Sequence, residues 1–160
     1  MKKINIISGK IDCGKTTKLL QMYTKINLGD GFALKKNYIK GEYVGQQVVR
    51  LSTGESKDFS FREGFAPKEI DLVYAYKNYS FTKEGLCFAE KIIMELIENN
   101  VEPIFMDEIG PLELQEKGFY KIFLLLLQTE KEIFVVIRDS CLENAIQKFH
   151  LNRGYLKIIM

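Results

Sequence analysis

The sequence is poor in the residues that cross-link small proteins or bind zinc. Its 160 residues include three cysteines and one histidine. Cys13, Cys87 and Cys141 are far apart and odd in number, and His150 stands alone near the C-terminus. We therefore predict neither a disulfide framework nor a zinc site, and a reducing cytoplasm fits this composition.

An excess of charge of one sign is also lacking. The chain has 23 lysines and arginines against 21 aspartates and glutamates, a net charge of +2, and the two signs are interspersed. No strong positive field would therefore attract a polyanion. We expect neither nucleic acid nor an anionic membrane surface as a partner, and the composition does not identify a protein partner.

Long hydrophobic runs are absent. The longest, residues 122–127, is too short to span a bilayer. The Met1-Lys2-Lys3 start resembles that of a signal peptide, but the apolar run after it ends by Ser8, so we do not expect secretion. These absences together predict a cytoplasmic protein without a membrane segment.

The length and composition are those of an ordinary globular protein. The chain is 46% hydrophobic and 28% charged, which excludes the disordered and fibrous classes. At 160 residues it is long enough to bury a substantial core unaided. We expect residues 1–160 to form a single domain.

One motif near the N-terminus organises the chain. It fits the pattern G-x-x-x-x-G-K-[ST] and consists of Gly9, Lys10, Ile11, Asp12, Cys13, Gly14, Lys15 and Thr16. Residues 4–7 before it are short and mostly β-branched, as in a buried strand, and residues 15–27 after it have apolar positions at helical spacing. A strand before the motif and a helix after it form the context in which this pattern binds phosphate, and they disfavour a chance match.

The chemistry of this loop points to a nucleoside triphosphate. Glycines allow the backbone to fold around phosphates, and the N–H groups at the start of the helix point at the anion. Lys15 would reach the β- and γ-phosphates, and the Thr16 hydroxyl would coordinate Mg²⁺. We predict that residues 9–17, from Gly9 to Thr17, bind the nucleotide.

The rest of the chain alternates strands and helices. Strands are expected within residues 32–61, with a hairpin turn at Gly41, and at residues 103–106, 132–137 and 155–159; helices are expected at residues 84–99, 119–127 and 141–149. Residues 62–82 are harder to interpret, with a possible strand at 72–76 and the remainder a loop that could lie over the site. The pattern predicts an α/β fold with a mainly parallel sheet that carries an antiparallel hairpin section.

A second motif follows the strand predicted at residues 103–106. Asp107 and Glu108 come directly after its apolar residues. A carboxylate at the end of a buried strand is what phosphoryl-transfer sites use to hold Mg²⁺, and we assign that role to Asp107. The next acid can orient or deprotonate the attacking water, so Glu108 is the predicted general base. The alternative is a solvated acidic turn.

Arg138 follows the strand predicted at residues 132–137. In a parallel sheet it would lie at the same edge as the phosphate loop and Asp107. There it could neutralise charge on the transferred phosphoryl group, which makes it the third predicted catalytic residue beside Glu108 and Lys15. The alternative for Arg138 is a salt bridge with Asp139 or another acid.

These residues resemble those of the thermophilic nucleoside-triphosphatase type family of P-loop NTPases. This family includes the cancer-related nucleoside triphosphatases. The resemblance covers most of the chain, and its most specific part is the run from Asp107 to Leu114. The matching segments are Gly14-Lys15-Thr16-Thr17, Gly31-Phe32, Leu51-Ser52-Thr53-Gly54-Glu55, Glu84-Gly85-Leu86, Phe88-Ala89, Asp107-Glu108-Ile109-Gly110-Pro111-Leu112-Glu113-Leu114 and Val135-Val136-Ile137-Arg138.

The resemblance implies a RecA-like three-layer sandwich. It also implies a Mg²⁺-dependent enzyme that slowly hydrolyses ATP, GTP and other nucleoside triphosphates with little base discrimination. By position, Lys15 and Thr16 would bind phosphate and Mg²⁺, Asp107 would serve Mg²⁺, and Glu108 would be the base. The chain departs from the family where Asp12 brings a negative charge into the phosphate loop, which weakens binding unless the side chain turns away or meets a cation.

Two other functions use the same motifs. A P-loop kinase of a nucleotide or small molecule would transfer the phosphoryl group to a hydroxyl, but such kinases usually bring several arginines into a lid, and this chain has four in all. A nucleotide-dependent switch or accessory protein would hydrolyse slowly to reset a partner interaction. The chain has no N-K-x-D motif for reading guanine, which leaves an adenine-based switch open.

Overall fold

The computed structural model describes residues 2–10 and 13–159. Within these ranges the strands are β1 (Ile4–Gly9), β2 (Asp30–Ile39), β3 (Glu42–Arg50), β4 (Ser56–Arg62), β5 (Leu72–Tyr76), β6 (Tyr79–Thr82), β7 (Ile104–Ile109), β8 (Ile133–Arg138) and β9 (Leu156–Ile159). The α-helices are α1 (Lys15–Ile26), α2 (Lys83–Glu98), α3 (Pro111–Leu114), α4 (Tyr120–Leu127) and α5 (Leu142–Lys148). Within the described ranges, no helix is long and apolar enough to cross a membrane.

All of these strands belong to one mixed sheet, in the order β5-β6-β4-β3-β2-β7-β8-β1-β9. Neighbours from β2 to β9 pair in parallel, and we call these strands the parallel half. From β2 outward to β5 each neighbouring pair is antiparallel, and β3, β4, β6 and β5 form the antiparallel half.

The central parallel strands are apolar on both faces. Five residues of β8, Ile133 to Ile137, are buried, and so are the first five residues of β1. Continuous apolar runs of this kind are typical of parallel strands that helices cover on both sides. The burial pattern fits the position of β8 and β1 inside the parallel half, where each has a strand on both sides, although β1 also buries the polar residues Asn5 and Ser8.

Helices cover the two faces of the sheet and make three layers. On one face, Leu19 of α1 packs against Ile7, Phe105 and Phe134. On the other face, a larger core joins α2, α4 and α5 to the sheet, and Phe123 of α4 is fully buried in it. This arrangement is the predicted α/β sandwich.

The parallel direction brings three strand ends to one edge. Gly9 at the end of β1 is the register partner of Arg138 at the end of β8, and β7 pairs with β8 on its other side. The phosphate-loop residues, Asp107 and Arg138 therefore lie at the carboxyl edge of the parallel half, as such ligand sites do in α/β proteins.

The predicted α/β fold is confirmed, and the antiparallel section is larger than the predicted hairpin section, because antiparallel neighbouring pairs are as many as parallel ones. One strand and one α-helix, both short, were not predicted. Residues 79–82 form β6, which pairs with β5 and extends the antiparallel half as a hairpin at the outer edge of the sheet. Residues 111–114 form α3. In addition, β7 continues to Ile109, so Asp107 and Glu108 are part of the strand rather than residues that follow it.

Candidate active site

The phosphate-loop sequence connects β1 directly to α1. Gly14 precedes the helix with φ 85° and ψ 25°, a left-handed conformation that glycine adopts without strain. As the N-cap residue, Gly14 has no side chain to cap this 12-residue helix, and the first turn of the helix has no acidic residue. Its first N–H groups and its dipole are therefore available to an anion.

Gly9 fits the loop because it lacks a side chain. A Cβ built there would come within 2.4 Å of Cys13 Sγ, so a larger residue would require the Cys13 side chain to turn away. Cys13 itself is exposed. The predicted nucleotide-binding residues Ile11 and Asp12 lie outside the described residues.

The lysine and threonines of the motif occupy the start of α1. The Lys15 ammonium donates a hydrogen bond to the carbonyl oxygen of Lys10, so it lies over the loop. Thr16 Oγ1 donates to Asp107 Oδ2 at 2.9 Å. Thr17 is exposed. Two predicted metal ligands that are 91 positions apart in the chain are therefore in direct contact.

Asp107 is buried with one of its two oxygens unused. Oδ2 accepts hydrogen bonds from Thr16 Oγ1 and from the backbone N–H of Leu34 at 3.0 Å. Oδ1 is buried and has no hydrogen-bond partner among the described residues. Burial, and then the nearby charge of Glu108, raise the pKa of Asp107 to about 7, although the Leu34, Thr16 and Lys15 groups oppose the shift. A cation at Oδ1 would relieve both the missing contact and the cost of burying the carboxylate.

Glu108 points to the neighbouring strand and is paired there. Its Oε1 accepts a hydrogen bond from Arg138 at 3.0 Å, and about a quarter of each side chain is exposed. Arg138 Nε is buried and has no partner in the described part of the chain. The acid that meets Arg138 is thus the predicted base Glu108.

A further acid, Glu113, is built into this edge of the molecule. It is 5% exposed, and its oxygens accept hydrogen bonds from the backbone N–H groups of Gly110 and Phe119. The sequence placed Glu113 in the family motif but gave it no role. The sequence signal for a role was its position shortly after Asp107 and Glu108, just beyond the turn residues Gly110 and Pro111.

Two known proteins, both named nucleoside-triphosphatase THEP1, are similar to this chain. The nucleoside-triphosphatase THEP1 of Archaeoglobus fulgidus is 25% identical over 134 residues, which cover 81% of this chain and 74% of that protein. THEP1 of Saccharolobus solfataricus is 25% identical over 138 residues, which cover 84% and 75%.

Solved structures share the fold. The crystal structure of THEP1 from Aquifex aeolicus matches with a TM-score of 0.72 and 19% identity over 98% of this chain and 88% of that chain. The solution structure of a human cancer-related nucleoside triphosphatase matches with a TM-score of 0.67 and 20% identity, over 99% and 88%. A family model described as NTPase matches residues 4–158, and because that match spans nearly the whole chain, the protein belongs to the NTPase family.

Proposed function

We propose that this protein is a nucleoside triphosphatase that hydrolyses the β–γ bond of ATP, GTP and other nucleoside triphosphates with the help of Mg²⁺. The observation that carries the proposal is the contact between Thr16 Oγ1 and Asp107 Oδ2 beside the unpartnered Asp107 Oδ1. It joins the start of a phosphate-binding helix to a strand-end carboxylate, which is the pairing that P-loop NTPases use.

The residues at this edge fit Mg²⁺. Thr16 Oγ1 and Asp107 Oδ1 are hard oxygen ligands, and Mg²⁺ is typically held by one or two protein groups together with substrate phosphates and water. Consistent with such a shared site, the described residues contain no group of three or more His, Cys, Asp and Glu that could hold a metal alone. When bound, Mg²⁺ would neutralise charge on the β- and γ-phosphates.

The chain's own groups account for binding and for proton transfer. The N-terminus of α1 and Lys15 would bind the phosphates, and Glu108 would accept the proton of the attacking water. The water oxygen forms a bond to the γ-phosphorus as the bond to the β–γ bridging oxygen breaks, so the products are a nucleoside diphosphate and inorganic phosphate. Arg138, with Nε unpartnered in the described part of the chain, would donate to the γ-phosphate.

The arginine pairing favours hydrolysis over kinase chemistry. Arg50 pairs with Asp30 and Glu95, Arg62 pairs with Glu42, and Arg153 pairs with Glu143. Arg138 also pairs with an acid, Glu108, but it is the arginine that ends a strand of the parallel half. The four arginines therefore do not form a cluster at the predicted phosphate site, as an arginine-rich kinase lid would need.

Phosphate release from ATP, GTP, CTP and UTP, with Mg²⁺ and with EDTA, tests the proposal. We expect release from several of these nucleotides that requires Mg²⁺ and falls by about 100-fold or more in Lys15→Ala and in Glu108→Gln. Glu108→Gln should still bind nucleotide. Lys25→Ala is the matched control, because Lys25 has the same charge in the last turn of the same helix and should leave the rate unchanged.

Other results would overturn hydrolysis as the function. Tight nucleotide binding without phosphate release would favour a switch. Release that appears only when a hydroxyl acceptor is added, with phosphate found on that acceptor, would favour a kinase.

A further inference from the structure

We infer that Glu113 is a positioning residue that holds Glu108 in place by fixing the backbone behind it. The inference rests on the proposed function, because it assumes that Glu108 is the base. In the described part of the chain, Glu113 is hydrogen-bonded to no predicted phosphate or metal ligand, so its effect on the reaction would pass through Glu108.

The Glu113 carboxylate connects two separate parts of the loop after β7. Oε1 accepts a hydrogen bond from the Gly110 N–H at 2.9 Å, and Oε2 accepts one from the Phe119 N–H at 3.0 Å. Gly110 is two residues after Glu108, and Phe119 directly precedes α4. One side chain therefore attaches the end of the catalytic strand to a helix of the buried core.

Gly118 provides the space that this arrangement needs. A Cβ built on Gly118 would lie 2.0 Å from Glu113 Oε2, and the residue has φ 59°. Both the contact and the conformation require glycine. Glycine at position 118 therefore leaves room for the Glu113 carboxylate, which almost any other residue at that position would displace.

The Glu108 and Glu113 carboxylates both lie near Gly110. A Cβ built on Gly110 would lie 3.9 Å from Glu108 Oε1 and 4.0 Å from Glu113 Oε1. Glu108 is held on its other side by Arg138, at 3.0 Å. A shift of the Gly110 backbone would move Glu108 relative to Arg138 and to the γ-phosphate, and a displacement of about 1 Å can cost roughly 100-fold in rate.

Glu113 is the third residue of α3, and its bond to the Gly110 N–H is a capping-box contact that stabilises the start of this short helix. Glu113 is buried without a cationic partner among the described residues. Burial raises the pKa of Glu113 to about 7, although the hydrogen bonds from the Phe119 and Gly110 N–H groups act to lower it. A buried carboxylate without an opposite charge lowers stability relative to an apolar side chain. The capping contact accounts for the bond to Gly110, and the second bond, to the Phe119 N–H, additionally ties the end of β7 to the start of α4.

The test is the kinetics of Glu113→Gln in the full chain, with ATP and Mg²⁺. Glutamine has nearly the same shape but offers one acceptor oxygen, so one of the two N–H groups would face an NH₂ group. We expect kcat, corrected for the fraction of molecules that bind nucleotide, to fall by about 10- to 100-fold with KM changed by less than about threefold. In a Glu108→Gln background, Glu113→Gln should cause no further fall, since the residue through which it acts is already lost.

Asp30→Asn is the matched control. Asp30 is also 5% exposed and also accepts two backbone N–H bonds, from Gly31 and Ser52, but at the opposite edge of the sheet. Its corrected kcat should equal that of the wild type. An unchanged corrected kcat in Glu113→Gln, an equal loss in Asp30→Asn, or a fully additive loss in the double variant would each overturn the inference. These outcomes are distinct from failure of the proposed function, in which the wild type itself releases no phosphate.

Discussion

Two buried aspartates on neighbouring strands have opposite hydrogen-bonding environments. Asp30 begins β2 at the amino edge of the parallel half, and Asp107 lies near the end of β7 at the carboxyl edge. Both oxygens of Asp30 are used: Oδ1 accepts from the N–H groups of Gly31 and Ser52, and Oδ2 accepts from Arg50 Nε and Ser52 Oγ. Asp107 uses Oδ2 alone.

The same contrast separates the two edges of the sheet. Within the described residues, the buried side-chain atoms without a partner are Ser8 Oγ, Asp107 Oδ1 and Arg138 Nε. Each of them lies within the last three residues of its strand, β1, β7 or β8, and these strand ends share the carboxyl edge. A folded protein satisfies nearly all of its buried polar groups, so a group of exceptions at one edge indicates where a ligand supplies the missing contacts.

The largest effect is expected from Asp107→Asn. The amide oxygen can replace Oδ2 for Thr16 and Leu34, but the remaining NH₂ group cannot bind a cation. We expect phosphate release to fall by about 1,000-fold, while the free energy of unfolding without Mg²⁺ at pH 8 rises by about 1 kcal/mol, because an unpaired buried charge is removed. Phosphate release and urea unfolding measure the two effects, and a marked loss of stability would contradict the functional reading of Asp107.

A smaller effect is expected on the pH dependence of stability. The pKa of Glu113 is raised from 4.5 to about 7, so between these values the folded state binds a proton that the unfolded state has released. The free energy of unfolding therefore decreases as the pH rises from about 4.5 to 7, by up to about 3 kcal/mol from this group. Asp107, whose pKa is also raised to about 7, adds a decrease of the same sign.

Urea unfolding of wild type and Glu113→Gln at pH 5, 6, 7 and 8, without nucleotide or metal, measures this contribution. Glutamine does not titrate, so the variant should lose less stability over the range than the wild type. Two parallel curves would mean that Glu113 has an ordinary pKa in the folded protein.

The smallest of the three effects is expected from Asp30→Asn. Asparagine cannot keep both the ion pair with Arg50 and all of the hydrogen bonds to Ser52 and Gly31, although Arg50 retains Glu95. We expect the free energy of unfolding to fall by about 2 kcal/mol, with KM unchanged. Urea unfolding at pH 7 gives the first quantity, and steady-state phosphate release gives the second. If Asp30→Asn abolished hydrolysis in the folded fraction, the contrast between the two edges would be lost.

The part of the fold that the sequence predicted is local in the chain. The strand, loop and helix around Gly14 follow from apolar spacing over about 25 consecutive residues, and strand ends gave the positions of Asp107 and Arg138. Residues 79–82 were missed as a strand because four residues contain too little alternation to be recognised. Their pairing with β5 depends on a turn in which Lys77 has φ 54°.

The contacts of the site were not predictable because they join distant positions. Leu34 and Asp107 are 73 positions apart, and Arg138 and Glu108 are 30 apart. Apolar periodicity reports which face of an element is buried, but it contains no information about which polar group on another strand will be opposite. Likewise, the sequence does not reveal the hydrogen bonds that Glu113 accepts, or the close approach of Gly118 to its carboxylate.

The bond from Leu34 to Asp107 has a consequence for how this family can diverge. The donor is a main-chain N–H group, so every amino acid except proline supplies it at position 34. Mutations that change the Leu34 side chain, or that remodel the outer strands attached through β2, leave this support of the carboxylate intact. Support from a main-chain donor therefore lets the side chains around Asp107 change without loss of this bond.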